Sequence, residues 1–275
     1  MMTFEAAINN AHLTMRTASK KVMRGKWQGI DVSKKPDFTA YEICHYSMIV
    51  RLITESLHEY KRSIRPNLPW ADDHFEERVC GQPINPGIEW KNWPWGVNAD
   101  KFRDKTGLYD HNYQERYWPK FAGATLNETF VAKDYESFAN QVPPHHGIRF
   151  AYGDLNDVVT ELAKDPTTRQ AILPVFFPED TGYQPGRRKP CSLHYHFMLN
   201  GNGLDIQYVL RSCDLIRHFR DDIYLTVRLL LWMLKQLRQA EPTYWNGKGP
   251  GLFVMHIANL HCFANDMIKL QEMAA

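Results

Sequence analysis

The chain has 275 residues, 44% of them hydrophobic, with 33 basic and 31 acidic side chains and a formal net charge of +2. This length suffices for one large domain or two small ones, and without a Pro/Gly/Ser-rich linker near the middle a single domain over residues 1–275 is expected. The near balance of charge argues against a strongly cationic nucleic-acid binder, so no nucleic-acid partner is expected and any anion site must come from a few converging arginines.

The N-terminal MMTFEAAINNAHLT lacks a basic region followed by an apolar core, and no apolar run approaches the roughly 18 residues of a membrane span. Residues 41–60 carry apolar side chains at helical spacing and predict a helix. Residues 70–80 predict a short helix, stopped by Gly81 and Pro83. From 84 to 147 the chain is irregular and rich in Trp, Pro and His. Such a stretch either lines or covers a site, or is a peripheral insertion held by aromatic packing.

The second half is more regular. Residues 154–164 predict an amphipathic helix and 171–177 a buried strand. Residues 192–199 alternate, NGNG at 200–203 signals a hairpin, and LDIQYVLRS returns. Residues 222–239 predict a long helix with Ile223, Val227, Leu230, Leu231, Leu234 and Leu237 along one face. Residues 252–260 predict a last strand, and a short helix follows. The pattern is α+β.

The five cysteines, Cys44, Cys80, Cys191, Cys213 and Cys262, are odd in number and form no C-x-x-C pair, which disfavours a disulfide framework or a structural zinc site. Cys191 follows Arg187-Arg188-Lys189-Pro190. Three neighbouring cations should favour its thiolate, the form a nucleophile needs. A lone cysteine at a strand start is more often a packed small residue, so the surrounding motifs matter. They are Asp165-Pro166-Thr167-Thr168-Arg169-Gln170 upstream, Leu210-Arg211-Ser212-Cys213-Asp214 at the hairpin's end, Phe219-Arg220-Asp221-Asp222 at the head of the long helix, and Asn259-Leu260-His261 near the end.

In order and approximate spacing, residues 147–267, with a Gly-x-x-x-x-Tyr-Gly at 147–153, resemble the thymidylate synthase family. The resemblance implies a mixed sheet with a long central helix, and a homodimer with shared active sites in a cytoplasmic setting (the host's, if a phage encodes it). It implies a pyrimidine nucleoside monophosphate as substrate and 5,10-methylenetetrahydrofolate as cofactor, with no metal. Cys191 would add to carbon 6 of the pyrimidine. Arg211 and Ser212 would hold the nucleotide phosphate, and Arg169 would reach the phosphate in the partner subunit's site. His261 would contact the sugar, Tyr152 would order water, and Asp214 would meet the folate pterin, with Trp118 as the folate-side tryptophan. An early-helix glutamate would organise proton transfer; Glu76 and Glu77 are the candidates, Glu77 preferred.

The departures from the family pattern carry information. Asp222 stands where the family reads its base with Asn, which suits cytosine's amino group better than uracil's carbonyl; here the chain resembles the viral deoxycytidylate hydroxymethylases. Asp222 could equally be a helix N-cap, a role open to Asp221 as well. Ser192, Gln170 and Phe263 replace the family's His, Arg and Tyr. The chain ends 14 residues after His261, without the synthases' apolar tail, which favours capture of water over hydride. These features imply 5-hydroxymethylation of dCMP in preference to CMP. Methylation of dCMP or of dUMP, and a non-catalytic nucleotide- or RNA-binding protein, are the alternatives.

Overall fold

A computed structural model describes residues 2–27, 30–95, 99–122, 152–182 and 188–272. The Gly147 end of the glycine–tyrosine motif, Arg187, and the last part of the 84–147 stretch lie outside these residues. The fold is α+β with a mixed sheet.

Strand β1 (Lys20–Met23) and the short pair β2 (Lys26–Trp27) and β3 (Ile30–Asp31) precede the long β4 (Thr39–Arg51). Later come β5 (Ile172–Pro174), β6 (Ser192–Asn200), β7 (Gly203–Leu210), β8 (Cys213–Asp214) and β9 (Gly249–Phe263). The main sheet runs β1-β4-β9-β7-β6-β5, with β8 also on β9. Neighbours are antiparallel except for β7 and β8, which both pair parallel to β9.

The hairpin read from NGNG is present. Gly201 sits at φ 61, a left-handed turn position that glycine takes without a steric penalty. Gly203 and Gly251 let β7 and β9 approach closely, since a Cβ on Gly203 would lie 2.8 Å from Gly251 Cα.

Residues 41–51, expected to be helical, are instead strand. Tyr46, Met48 and Val50 point inward at period two, and they pair with β9 at Ile257, Met255 and Phe253. The β-branched and aromatic content of this run, and a long partner strand, override the loose helical spacing. The helix in that region, α2 (Leu57–Ile64), starts later, with Ser56 as N-cap.

The other helices are α1 (Phe4–Ala18), α3 (Trp70–Arg78), α4 (Tyr113–Tyr117), α5 (Pro119–Ala122), α6 (Leu155–Lys164), α7 (Phe219–Ala240), α8 (Pro242–Trp245) and α9 (Ala264–Glu272). A capping box between Asp154 and Asp157 opens α6. The 22-residue α7 buries Ile223, Val227, Leu230, Leu234 and Leu237 in the main hydrophobic cluster. Among the described residues, no helix is long and apolar enough to cross a membrane.

Candidate active site

Strand β6 begins one residue after Cys191. Arg211, at the end of the paired β7, fixes the segment before it. Its backbone N–H donates to Cys191 O at 2.9 Å. Its guanidinium donates through Nε to Pro190 O and through Nη2 to Lys189 O, both at 2.8 Å. The residue expected on a phosphate therefore also clamps the chain that presents the thiol.

The electrostatics at Cys191 correct the expectation of a thiolate stabilised by its sequence neighbours. Burial pushes the thiol up. Arg211 and Arg188 pull it down, while Asp222 and Asp214 oppose them, and the net shift is upward. Lys189 turns away and donates to Gly182 O. Sequence adjacency overstated the cations because it could not include desolvation or the two carboxyls.

Asp222 lies one turn inside α7, whose N-cap is His218. Its Oδ2 accepts from the Cys213 thiol at 3.4 Å. Burial raises its carboxyl to about 7; Arg78 and Cys213 lower it, and Asp221 adds to the rise. Neither aspartate caps the helix. Asp221 accepts from Asn67 N at 2.7 Å and Asn67 Nδ2 at 2.8 Å, so it ties the α2–α3 loop to α7. Burial lifts it to about 6.

From the residue after Cys191 runs a line of hydroxyls. Ser192 Oγ donates to Tyr113 Oη at 3.2 Å and also pairs with Tyr208 Oη. Tyr208 stacks on Tyr195 at 4.4 Å. Burial, followed by the field of Cys191, raises Tyr113 to about 12.

The sugar-side and cofactor-side candidates meet where β8 pairs with β9. Asp214 is opposite His261 in register, and Ser212 Oγ lies 3.3 Å from His261 Nδ1. Asp214 Oδ1 accepts from Ile216 N and Arg217 N, both at 3.0 Å, while Arg217 Nε is 3.7 Å from Oδ2. Burial lowers His261, and it lowers His218 to about 4.

Three expected residues sit differently. Glu77 Oε1 accepts from Ile88 N at 2.6 Å and Glu89 N at 3.1 Å, and its Oε2 accepts from Gln114 at 3.3 Å. It caps the start of the 3-10 turn Ile88–Asn92. Glu76 reaches Arg228 on α7. Trp118 is 2% exposed, and its Nε1 donates to Arg78 O at 2.9 Å. It packs in the main hydrophobic cluster and is tied to the end of α3 by that bond.

Tyr152 pairs with Glu179 and leans on Phe177. Arg169 is exposed; its carbonyl accepts from His196.

A buried polar group went unrecognised in the sequence. Glu89, 1% exposed, accepts from His74 Nδ1 at 3.1 Å and Gln114 Nε2 at 2.9 Å. Arg78 Nε donates to His74 Nε2 at 3.0 Å. The available signal was His74 and Arg78 four apart on α3, a spacing that puts both on one helical face.

A family model described as thymidylate synthase matches residues 89–275, about two thirds of the chain. With a paired-strand cysteine, an arginine clamp and a buried helix-borne acid already in place, that match defines the class: the chain belongs to the thymidylate synthase family. Thymidylate synthases from three Vibrio cholerae O1 strains (ATCC 39541, M66-2 and ATCC 39315) are each 24% identical to it over 160 residues, covering 55% of this chain and 53% of theirs. The chain spans about half the length of the curated relatives it matches.

Proposed function

We propose that this protein transfers a one-carbon unit to carbon 5 of a cytidine nucleotide, dCMP in preference to CMP, and releases the 5-hydroxymethyl product. The observation that carries the reading is Asp222, a buried carboxyl held near neutrality beside Cys191. Cytosine offers a ring nitrogen that lacks a proton and an amino group that can donate. A carboxylic acid answers both, giving its proton to the ring nitrogen and accepting from the amine.

Cys191 Sγ gives its thiol proton to water and adds to carbon 6. The electron pair displaced toward the ring nitrogen is met by the Asp222 proton, and carbon 5 becomes nucleophilic. A general acid with a pKa near the working pH is the efficient choice.

The residues present fit 5,10-methylenetetrahydrofolate, the one-carbon donor of the family. Asp214 is buried, with Oδ1 engaged by two backbone amides and Oδ2 3.7 Å from Arg217 Nε, and Oδ2 keeps acceptor capacity for ring N–H groups. Trp95 and His218 stand edge to face at 6.4 Å and offer an aromatic wall in place of Trp118. When bound, this cofactor supplies the methylene carbon. The Ser192, Tyr113 and Tyr208 hydroxyls make the wall beside Cys191 polar, which supports water as the group that completes the product.

Arg169, exposed, is suited to a partner subunit's phosphate in a homodimer. Tritium release from carbon 5 of labelled dCMP and dUMP, with and without methylenetetrahydrofolate, tests the reading, with product identification by mass. Release from dCMP only with the folate, yielding hydroxymethyl-dCMP, is expected. A methylated product would make the enzyme a methylase. Release from dUMP alone would overturn the base assignment, and no release from either would leave a nucleotide-binding protein.

A further inference from the structure

We propose that Glu42 is a positioning residue for His261: locked by Arg24 and Asn259, it flanks the imidazole from β4 as Asp214 does from β8, and the pair holds the ring to receive a hydroxyl of the nucleotide's sugar. The sugar contact rests on the function proposed above; the hold of Glu42 on the ring does not.

The geometry is a row across four strands. Lys20 on β1 is the register partner of Glu42 on β4, Glu42 is that of His261 on β9, and His261 is that of Asp214 on β8. Antiparallel register partners share a face, with Cβ atoms about 4.5–5.5 Å apart, so Glu42 stands directly beside His261. Lys20 is exposed at the sheet edge, whereas Glu42 and Asp214 are buried.

Glu42 is held in place from two directions. Its Oε1 accepts from Arg24 Nε at 2.8 Å. Its Oε2 accepts from Arg24 Nη2 and, at 2.8 Å, from Asn259 Nδ2. A bidentate arginine–carboxylate pair fixes geometry as well as charge. Asn259 lies two residues before His261, on the same face of β9. The strand that carries the imidazole therefore also grips the carboxylate. Burial alone would raise the Glu42 carboxyl, but the Arg24 and Asn259 bonds outweigh it and hold it below the usual carboxylate range.

Ser212 gives the ring its place in the site. It follows Arg211, which clamps the chain before Cys191, and its Oγ lies 3.3 Å from His261 Nδ1. A nucleotide joined to Cys191 through carbon 6, with its phosphate toward Arg211, brings its sugar to this side.

The groups around the imidazole come from every neighbouring element. Glu42 stands on β4, Asp214 on β8, Arg24 after β1, His218 at the head of α7, and the Phe263 ring lies edge to face at 5.5 Å. Burial lowers the ring's pKa, Asp214 and Glu42 oppose that, and Arg24 adds to it.

The test is an NMR titration of the His261 ring in substrate-free protein, with the signal assigned by its loss in His261→Gln. Glu42→Gln removes the charge and keeps the shape, so the midpoint should fall by about half a pH unit or more. Glu42→Asp keeps the charge and should return it toward wild type. An unmoved midpoint in Glu42→Gln overturns the inference. If Glu42→Gln does not fold, the double variant Arg24→Gln/Glu42→Gln, which removes both partners, decides: a lowered midpoint supports the inference, and an unmoved midpoint or a second failure to fold overturns it. Calorimetric binding of dCMP and 2′,3′-dideoxy-CMP reads the consequence. Wild type should favour dCMP by about two- to tenfold, and Glu42→Gln should lose most of that preference. Because no turnover is measured, a lowered midpoint with an unchanged sugar preference would uphold the hold on the ring and overturn the sugar contact.

Discussion

The Cys213 thiol donates to Asp222 Oδ2 across 3.4 Å, so one edge of that carboxyl is oriented before any nucleotide arrives. Asp222→Asn keeps the shape and removes the transferable proton. It should weaken use of dCMP and improve use of dUMP, because the amide donates to a carbonyl but cannot protonate a ring nitrogen. An unpaired buried polar group costs roughly 1–3 kcal/mol, so the ratio of kcat/KM values should move by about five- to 150-fold. Steady-state kinetics on both nucleotides measures it, and an unchanged ratio would reduce Asp222 to a structural residue.

The same substitution should alter stability with a definite sign. Burial raises Asp222 to about 7 in the folded chain, above the roughly 3.9 of a free aspartate. The folded state therefore binds this proton first as pH falls. The contribution to stability is full at low pH and is lost as pH rises through the folded value. Relative to Asp222→Asn, wild type should lose melting temperature from about pH 4, where the unfolded carboxyl ionises, up to about pH 7, where the folded one does, and then level off. Parallel melting curves would refute the buried, titrating acid.

Cys191→Ala should abolish turnover while nucleotide binding survives. Arg211 holds the preceding loop through backbone carbonyls rather than through the thiol, so the site should persist. Calorimetric titration with dCMP, run beside the tritium assay, reads both halves. A tenth of wild-type rate in Cys191→Ala would exclude a covalent route through this residue.

Glu77→Gln separates a cap from a catalyst. The Glu77 carboxylate accepts from the Ile88 and Glu89 amides, and an amide side chain can still accept there. The expected outcome is a stability loss of about 1 kcal/mol with kcat within a few-fold of wild type. A fall in kcat of a hundredfold at unchanged stability would return Glu77 to the proton-transfer role.

Arg169 should serve the opposite site of a homodimer. Mixing Cys191→Ala subunits with Arg169→Ala subunits should restore part of the activity, since one of the two hybrid sites carries both native groups. A monomer by light scattering at micromolar concentration would end this proposal.

Much of the second half was legible in sequence because its signals are local. The alternation from Ser192 to Leu210, the glycines of the turn and the amphipathic period of 154–164 each act within a few residues. The strand at 39–51 was misread because its partner lies some two hundred residues away, and only pairing with β9 distinguishes its spacing from a helix's. At the site, Cys191 and Asp222 stood out by motif. Their protonation did not, because burial and opposing charges come from four separate elements. The Glu89–His74–Arg78 group was hidden for the same reason: Glu89 lies in a loop-rich stretch that gives no periodic signal.

The parallel pairing of β8 with β9 has a consequence for how the site comes into being. Asp214 and His261 are register partners, yet the whole of α7, Phe219–Ala240, lies between them. A parallel pair needs such a crossover, and contacts this distant in sequence form late. No fragment that stops short of β9 can hold both halves of the pocket. Amides of β8 should therefore exchange with solvent only through the global opening of the protein, and bound nucleotide should slow that exchange by the full mass-action factor of binding.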